Sequence, residues 1–254
     1  MGMKRSLAIA RRVLLELFRT RRTLVFWVIF PTLMLILFGM IYSGRGSMGR
    51  GFDSTAPGIL IGAALFFSCM AGPTALVVAE RERRTLRRLL LSPLRSWEYF
   101  VGISLAHLAI AVMQAVVVYG IAYAFGGRFR GSMLLGTGIV VLSVISFVGI
   151  GFFFGSVFTK RTEDVNGPVS AFGVPLLVLG GTFFPVSILP MSLYSITWFN
   201  PIFHMNQALR GVSARAMTLA EVAPHVEFLL VFAIASLWLG VRSYRAMLVM
   251  ERGS

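Results

Sequence analysis

Apolar residues in this chain fall into long blocks separated by short polar or basic stretches, not into the alternation of a half-buried strand. A bilayer-crossing helix needs roughly 20 apolar residues at about 1.5 Å rise each. Six blocks qualify: 24–42, 58–79, 101–125, 133–158, 168–184 and 223–241. The last is the weakest, because Glu227 lies near its start. Pro31, Pro73 and Pro175 fall inside spans and predict kinks. Ahead of the first span, Leu7, Ala10, Leu14 and Leu17 recur at helical spacing, with Arg5, Arg12, Glu16 and Arg19 on the other side. Residues 1–23 therefore predict an amphipathic helix lying in the membrane plane or, alternatively, a soluble helix packed on a partner. Residues 185–222 are too apolar and aromatic for a solvated loop, with Leu193, Trp198, Phe199 and Phe203. They predict one or two short helices dipping back into the outer leaflet before the last span. The expected fold is an all-α membrane protein, a single transmembrane domain over 1–254 with six transmembrane helices.

Composition agrees. Only 13% of residues are charged and 57% are hydrophobic, with a mean hydropathy of +0.81, where a soluble domain carries roughly 25% charged residues. The net charge of +14 would by itself suggest nucleic acid, but its distribution points elsewhere. With the N-terminus inside, the inner segments 1–23, 80–100, 159–167 and 242–254 hold 18 Lys and Arg, and the outer segments 43–57, 126–132 and 185–222 hold 6. That asymmetry sets both termini in the cytoplasm and accounts for the basic residues as orientation signals and contacts to membrane lipids, with no nucleic acid. The lone Cys69 sits in an apolar block, where it forms no intrachain disulfide and reads as a small buried residue. The basic N-terminus leads into amphipathic sequence rather than straight into an apolar run, unlike a cleavable signal peptide.

Several chemistries are missing. The only lysines, Lys4 and Lys160, do not follow glycine, so no phosphate-binding GxxxxGK[ST] loop exists. No GxSxG elbow occurs, and His107, His204 and His225 have no metal-ligand spacing. No catalytic or metal site is expected. Asp and Glu are absent from the middle of the first five spans, which weakens an ion-driven carrier acting alone. In the third span Ser104, His107, Ala111 and Gln114 share one face. They predict either substrate contacts or helix–helix hydrogen bonds. Phe26, Phe30, Phe183 and Phe184, with thirteen methionines, provide either an adaptable apolar surface for a lipid-like cargo or ordinary helix packing. Gly151 and Gly155 form a GxxxG for close packing, by default within the subunit.

Two stretches carry the strongest signal. Residues 80–100 begin with alternating charge and continue with Leu86, Leu89, Leu90 and Leu94 at helical spacing, with Arg87, Arg88 and Arg95 between them. This predicts a short amphipathic helix between two spans, or a basic turn that only sets topology. Residues 180–211 carry Gly180-Gly181, Phe184-Pro185, Leu189-Pro190, Asn200-Pro201 and then an amphipathic run to Arg210. Together, and in this order, they resemble the ABC-2 type permeases, the membrane subunits of ATP-binding-cassette exporters, and within them the drug-efflux and nodulation-factor-export branch. Glu80, Glu82, Arg83, Thr85, Leu86, Leu90, Ser92 and Pro93 match the family's cytoplasmic loop, with Arg84 in place of its usual glycine. Gly181, Phe184, Pro185, Leu189, Pro190, Asn200, Pro201 and Arg210 match its later motif.

The resemblance implies a permease subunit in the bacterial cytoplasmic membrane that is not itself an enzyme. It also implies a homodimer or heterodimer of permeases bearing separate ABC ATPase subunits, with ATP and Mg2+ bound by those ATPases and no cofactor in this chain. Glu80, Glu82, Arg83, Thr85, Leu86, Arg87, Leu90, Pro93 and Leu94 are the implied ATPase-coupling residues. The expected cargo is a hydrophobic or amphipathic drug, lipid or glycolipid. A stand-alone secondary transporter or channel is the alternative.

Overall fold

The computed structural model describes residues 2–44, 46–83, 96–158 and 161–252. Helix α1 (Gly2–Arg19) leads into α2 (Arg21–Ser43). Next comes α3 (Met48–Glu82), built of an α-helical start (Met48–Gly58), a π-helical middle (Ile59–Ala71) and an α-helical end (Gly72–Glu82). Then come α4 (Ser96–Ala124), α5 (Met133–Val157), a 3-10 turn (Thr162–Val165) and α6 (Asn166–Leu179). A second 3-10 turn (Val186–Ile188), α7 (Met191–Thr197), α8 (Pro201–Arg215) and α9 (Leu219–Arg252) complete the order. Among the described residues α2, α3, α4, α5 and α9 are long and apolar enough to cross a membrane.

α3 is the axis of the bundle. Phe52, Ala56 and all of Ile59–Phe66 are buried, and α2, α4, α5, α6 and α8 contact it. Its π-helical middle lies between Pro57 and Pro73, neither of which donates to a regular ladder. Ser68 and Thr74 hydroxyls donate back to the carbonyls of Ala64 and Met70, at 3.0 and 2.8 Å, which competes with the backbone ladder. The expected GxxxG packs within the subunit. A Cβ on Gly151 would lie 2.6 Å from the Met70 carbonyl oxygen, and one on Gly155 would lie 2.9 Å from that of Thr74. α9 crosses the same helix where a Cβ on Gly149 would meet the Ser236 backbone at 2.6 Å.

Several sequence boundaries move. The expected loop 43–57 is mostly helix, because Met48–Gly58 continues without a break into the rest of α3 and buries Phe52, Asp53 and Thr55. The block 168–184 ends as a helix at Leu179: Gly181 takes φ +72°, a left-handed turn that suits glycine. α6 alone is thus 14 residues, or about 21 Å. With the preceding 3-10 turn it nevertheless runs antiparallel to α3, from Thr162 beside Glu82 to Thr182 against Gly58 and Gly62. α4 starts at Ser96, and α9 extends over Leu219–Arg252 with Glu227 exposed. α1 settles on α4 of its own bundle. Ser6, Ala10 and Val13 are buried there, while Leu7 is exposed. The absence of a side chain at Gly102 admits Ile9 and the Ser6 carbonyl.

Candidate functional site

The α1 end of the bundle holds a polar clamp. Glu80, at the end of α3, is buried and takes an ion pair from Arg12 of α1 at 3.2 Å. The phenol of Tyr99, at the start of α4, donates to the same carboxylate. The Tyr99 ring stacks on Tyr244 of α9, with centroids 5.3 Å apart. Two residues on, Glu82 accepts from the backbone N–H of Thr162 at 3.1 Å and from its hydroxyl. Arg83 pairs with Glu16 of α1 at 3.7 Å. On the other side of the intervening segment, Glu98 pairs with Arg5 at 3.7 Å, and its carbonyl accepts from the Ser6 hydroxyl at 3.0 Å. Glu80 and Glu98 are buried and each is paired with an arginine, which is how a carboxylate is tolerated away from water, whereas Glu82 is exposed. The clamp therefore ties α1, α3, α4, α9 and the turn before α6 together on both flanks of residues 84–95.

Of the predicted coupling residues, Glu80, Glu82 and Arg83 belong to this clamp. Thr85, Leu86, Arg87, Leu90, Pro93 and Leu94 lie outside the described residues. Tyr99, Thr162 and Tyr244 escaped the sequence reading. Their partners lie 19 to 145 positions away, and nothing in local spacing announces them.

A cavity of about 490 Å³ opens beside the clamp, between α1, α2, α3 and the turn before α6. Phe26, Trp27, Phe67 and Leu76 form its apolar wall, Glu16, Arg83 and Thr162 lie at its rim, and His107 closes its inner end. The predicted path residues divide. Phe26 and His107 share this cavity, and Phe30 stacks beside them on Phe26 at 5.4 Å. Gln114 is a cross-brace: it accepts from the Ser68 hydroxyl at 2.8 Å and donates to the Trp27 carbonyl at 3.1 Å, joining α2, α3 and α4. Phe183 and Phe184 pack on Phe38 at the far end of the bundle, away from the cavity.

The later motif builds a knot at that far end. Asn200 caps α8, accepting from the Ile202 N–H at 2.9 Å and donating to the Leu176 carbonyl at 2.7 Å. Pro201 occupies the first helical turn, where a missing N–H costs nothing. Pro185 and Pro190 open the second 3-10 turn and α7. Arg210 donates to the Ser54 carbonyl at 3.1 Å and to the Gly181 carbonyl at 3.2 Å. Burial holds its guanidinium below the usual arginine range, with Arg215 adding to the effect. Asn206, which sequence reading did not single out, donates to the Gly180 carbonyl at 2.9 Å. Nearby, the fold brings His204 and His225 together. The Nε2–H of His204 donates to the Trp198 carbonyl at 2.9 Å, which leaves its Nδ1 to accept from His225 Nδ1–H at 3.0 Å. Burial lowers the His204 pKa, against the hydrogen bond to Trp198, which raises it. Among the described residues no group of three metal-binding side chains forms.

Known proteins are similar to this chain in sequence. The family profile described as ABC-2 type transporter matches residues 5–213. The chain is 36% identical over 141 residues to "Probable multidrug ABC transporter permease YbhR" of Escherichia coli K12. That match covers 55% of this chain and 38% of the relative, so the chain spans well under half of that permease. It is also 25% identical over 192 residues to "Inner membrane transport permease YadH" of the same strain, covering 74% of each chain.

Proposed function

Since this chain belongs to the ABC-2 type transporter family, we propose that it is the transmembrane permease subunit of an ATP-binding-cassette exporter. It moves a hydrophobic or amphipathic cargo across the bacterial cytoplasmic membrane with ATP hydrolysed by a separate subunit. The observation that carries this reading is the clamp. Glu80, Glu82 and Glu98 hold α1, α4 and the turn before α6 on both flanks of 84–95, so a push on that segment has a stiff route into α1, α3, α4 and α6.

The proposed topology has six crossings and both termini in the cytoplasm. The 3-10 turn and α6 together span 18 residues, about 29 Å with the turn counted at ~2.0 Å per residue. That is close to the ~30 Å hydrocarbon thickness. In this arrangement α1 lies at the inner interface, and its exposed Met3, Leu7 and Phe18 meet lipid. α7 and α8 dip into the outer leaflet, with α8 covered by protein. A second permease subunit, identical or not, completes the transporter, and the ATPases bind ATP and Mg2+.

The test is reconstitution in proteoliposomes with and without the cognate ATPase. Substrate-stimulated ATP turnover and ATP-dependent cargo movement are expected only with both components. Gradient-driven transport by the permease alone would overturn the proposal and establish a secondary transporter.

A further inference from the structure

His107 is 1% exposed, and its Nε2 has no hydrogen-bond partner among the described residues. Its Nδ1 lies 2.9 Å from the Ile103 carbonyl oxygen, one helical turn back, and donates its hydrogen there. In the tautomer that this bond requires, the neutral ring carries its lone pair on Nε2. A buried acceptor left without a donor is unfavourable and marks a place for a ligand or another partner. The ring closes the inner end of the 490 Å³ cavity described above, a volume within the range of drug-sized pockets. Nε2 itself is enclosed, and Gly72 leaves the slack beside it: a Cβ there would come within 2.9 Å of Nε2 and 3.2 Å of the Trp27 ring, so a ligand reaches the nitrogen by a small local shift.

The surroundings define the ligand. Phe26, Trp27 and Phe67 offer aromatic surface, and Phe67 meets both Phe26 and Phe30 edge to face, at 6.3 and 5.5 Å. Such faces hold flat apolar molecules and attract cationic ones. The Glu16 carboxylate at the rim is balanced by Arg12 and Arg83, at 3.9 and 3.7 Å, so among the described residues lining the cavity the rim charge is paired.

We propose that this cavity is a cargo-entry site for flat lipophilic amines, whose N–H donates to His107 Nε2 while the aromatic body lies between Phe26, Trp27 and Phe67. The proposal rests on the permease reading above and names its cargo class. Glu16, Arg83 and Thr162 belong to both the cavity and the clamp, so movement of the clamp reshapes the site.

The test measures binding without any ATPase, so it fails or succeeds separately from the transport reading. Fluorescence anisotropy compares rhodamine 6G, whose two amines each carry an N–H, with tetramethylrhodamine ethyl ester, whose amines carry none. The chain is held in phosphatidylcholine nanodiscs. Wild type is expected to bind rhodamine 6G about five- to tenfold tighter, the usual reach of one hydrogen bond. His107→Phe should erase that preference, and His107→Gln, which restores an acceptor, should recover part of it. Gly72→Ala should weaken both dyes. Recovery of the preference in His107→Gln separates loss of the acceptor from loss of the fold, because an unfolded variant shows no preference either. Equal binding of the two dyes by wild type, or a preference that survives His107→Phe, would overturn the proposal. A second series replaces phosphatidylcholine with phosphatidylethanolamine. Unchanged dye affinity supports a free amine as ligand. Displacement in proportion to the ethanolamine headgroup would assign the acceptor to lipid and overturn the cargo assignment.

Discussion

Glu80→Ala is expected to lower bundle stability by about 3 kcal/mol and to uncouple ATP hydrolysis from transport. Two losses add. The Tyr99 phenol, 2% exposed, loses its acceptor, at roughly 1–3 kcal/mol for a buried group left unsatisfied. Arg12 loses its carboxylate. Because its side chain is 49% exposed, water compensates it, and that loss stays near the ~1 kcal/mol of a surface pair. Glu80→Gln keeps an acceptor for Tyr99 and removes the charge, so it should fall between Ala and wild type. Unfolding midpoints in detergent rank the three proteins, and the ratio of cargo moved to ATP hydrolysed reads the coupling. If Glu80→Ala matched wild type in both, the clamp would have no part in either.

Arg210→Met carries the second large effect, at the opposite end. The side chain is partly buried and holds the Ser54 and Gly181 carbonyls of two different elements. Methionine fills most of the volume without donating, so the Gly181 carbonyl loses its side-chain donor and the Ser54 carbonyl keeps only its place in the helical ladder, at a combined loss of about 2–4 kcal/mol. Arg210→Lys is not a conservative change, because one ammonium cannot reproduce a planar fork spanning two carbonyls. It should recover less than half of the loss. Thermal unfolding in detergent checks the ranking Arg, Lys, Met. Cysteine accessibility at Thr182, buried at 2% in the folded turn, should rise in parallel.

These two sites show what a sequence discloses and what it withholds. Asn200-Pro201 is a local signal: a cap followed by proline at the first turn of a helix, and α8 begins there. The glycines of α5 were equally legible as close-packing positions, since only a missing Cβ lets Met70 and Thr74 approach. The long apolar blocks named α2, α4 and α5 to within a few residues, with α4 starting earlier than its apolar block. The start of α3 was hidden, because Gly49, Arg50, Gly51 and Asp53 read as loop chemistry. It is a helix because Phe52 stacks on Phe125 at 4.5 Å and Asp53 pairs with Arg130 at 3.1 Å, both contacts across the fold. The apolar line of α1 holds in part: Ala10 is buried and Leu14 and Leu17 pack against the core, while Leu7 is exposed and Gly102 makes room for Ser6 and Ile9 instead. Gln114 and His107 look alike in sequence, seven residues apart on one helix. Only the fold supplies Gln114 with both partners and leaves His107 with one.

If residues 84–95 are the lever, the clamp beside them must travel with it as one piece, without opening during the cycle. Glu82→Cys combined with Thr162→Cys places two thiols where a carboxylate and a hydroxyl now bond, while the native Cys69 stays buried. Bridging them with a short, reducible thiol cross-linker fixes α3 to the turn before α6. With the cognate ATPase in proteoliposomes, the bridged protein is predicted to keep ATP-driven transport at the rate of the same variant after reduction. Transport that stops on bridging and returns on reduction would mean that this junction has to open, and would contradict transmission through a closed clamp.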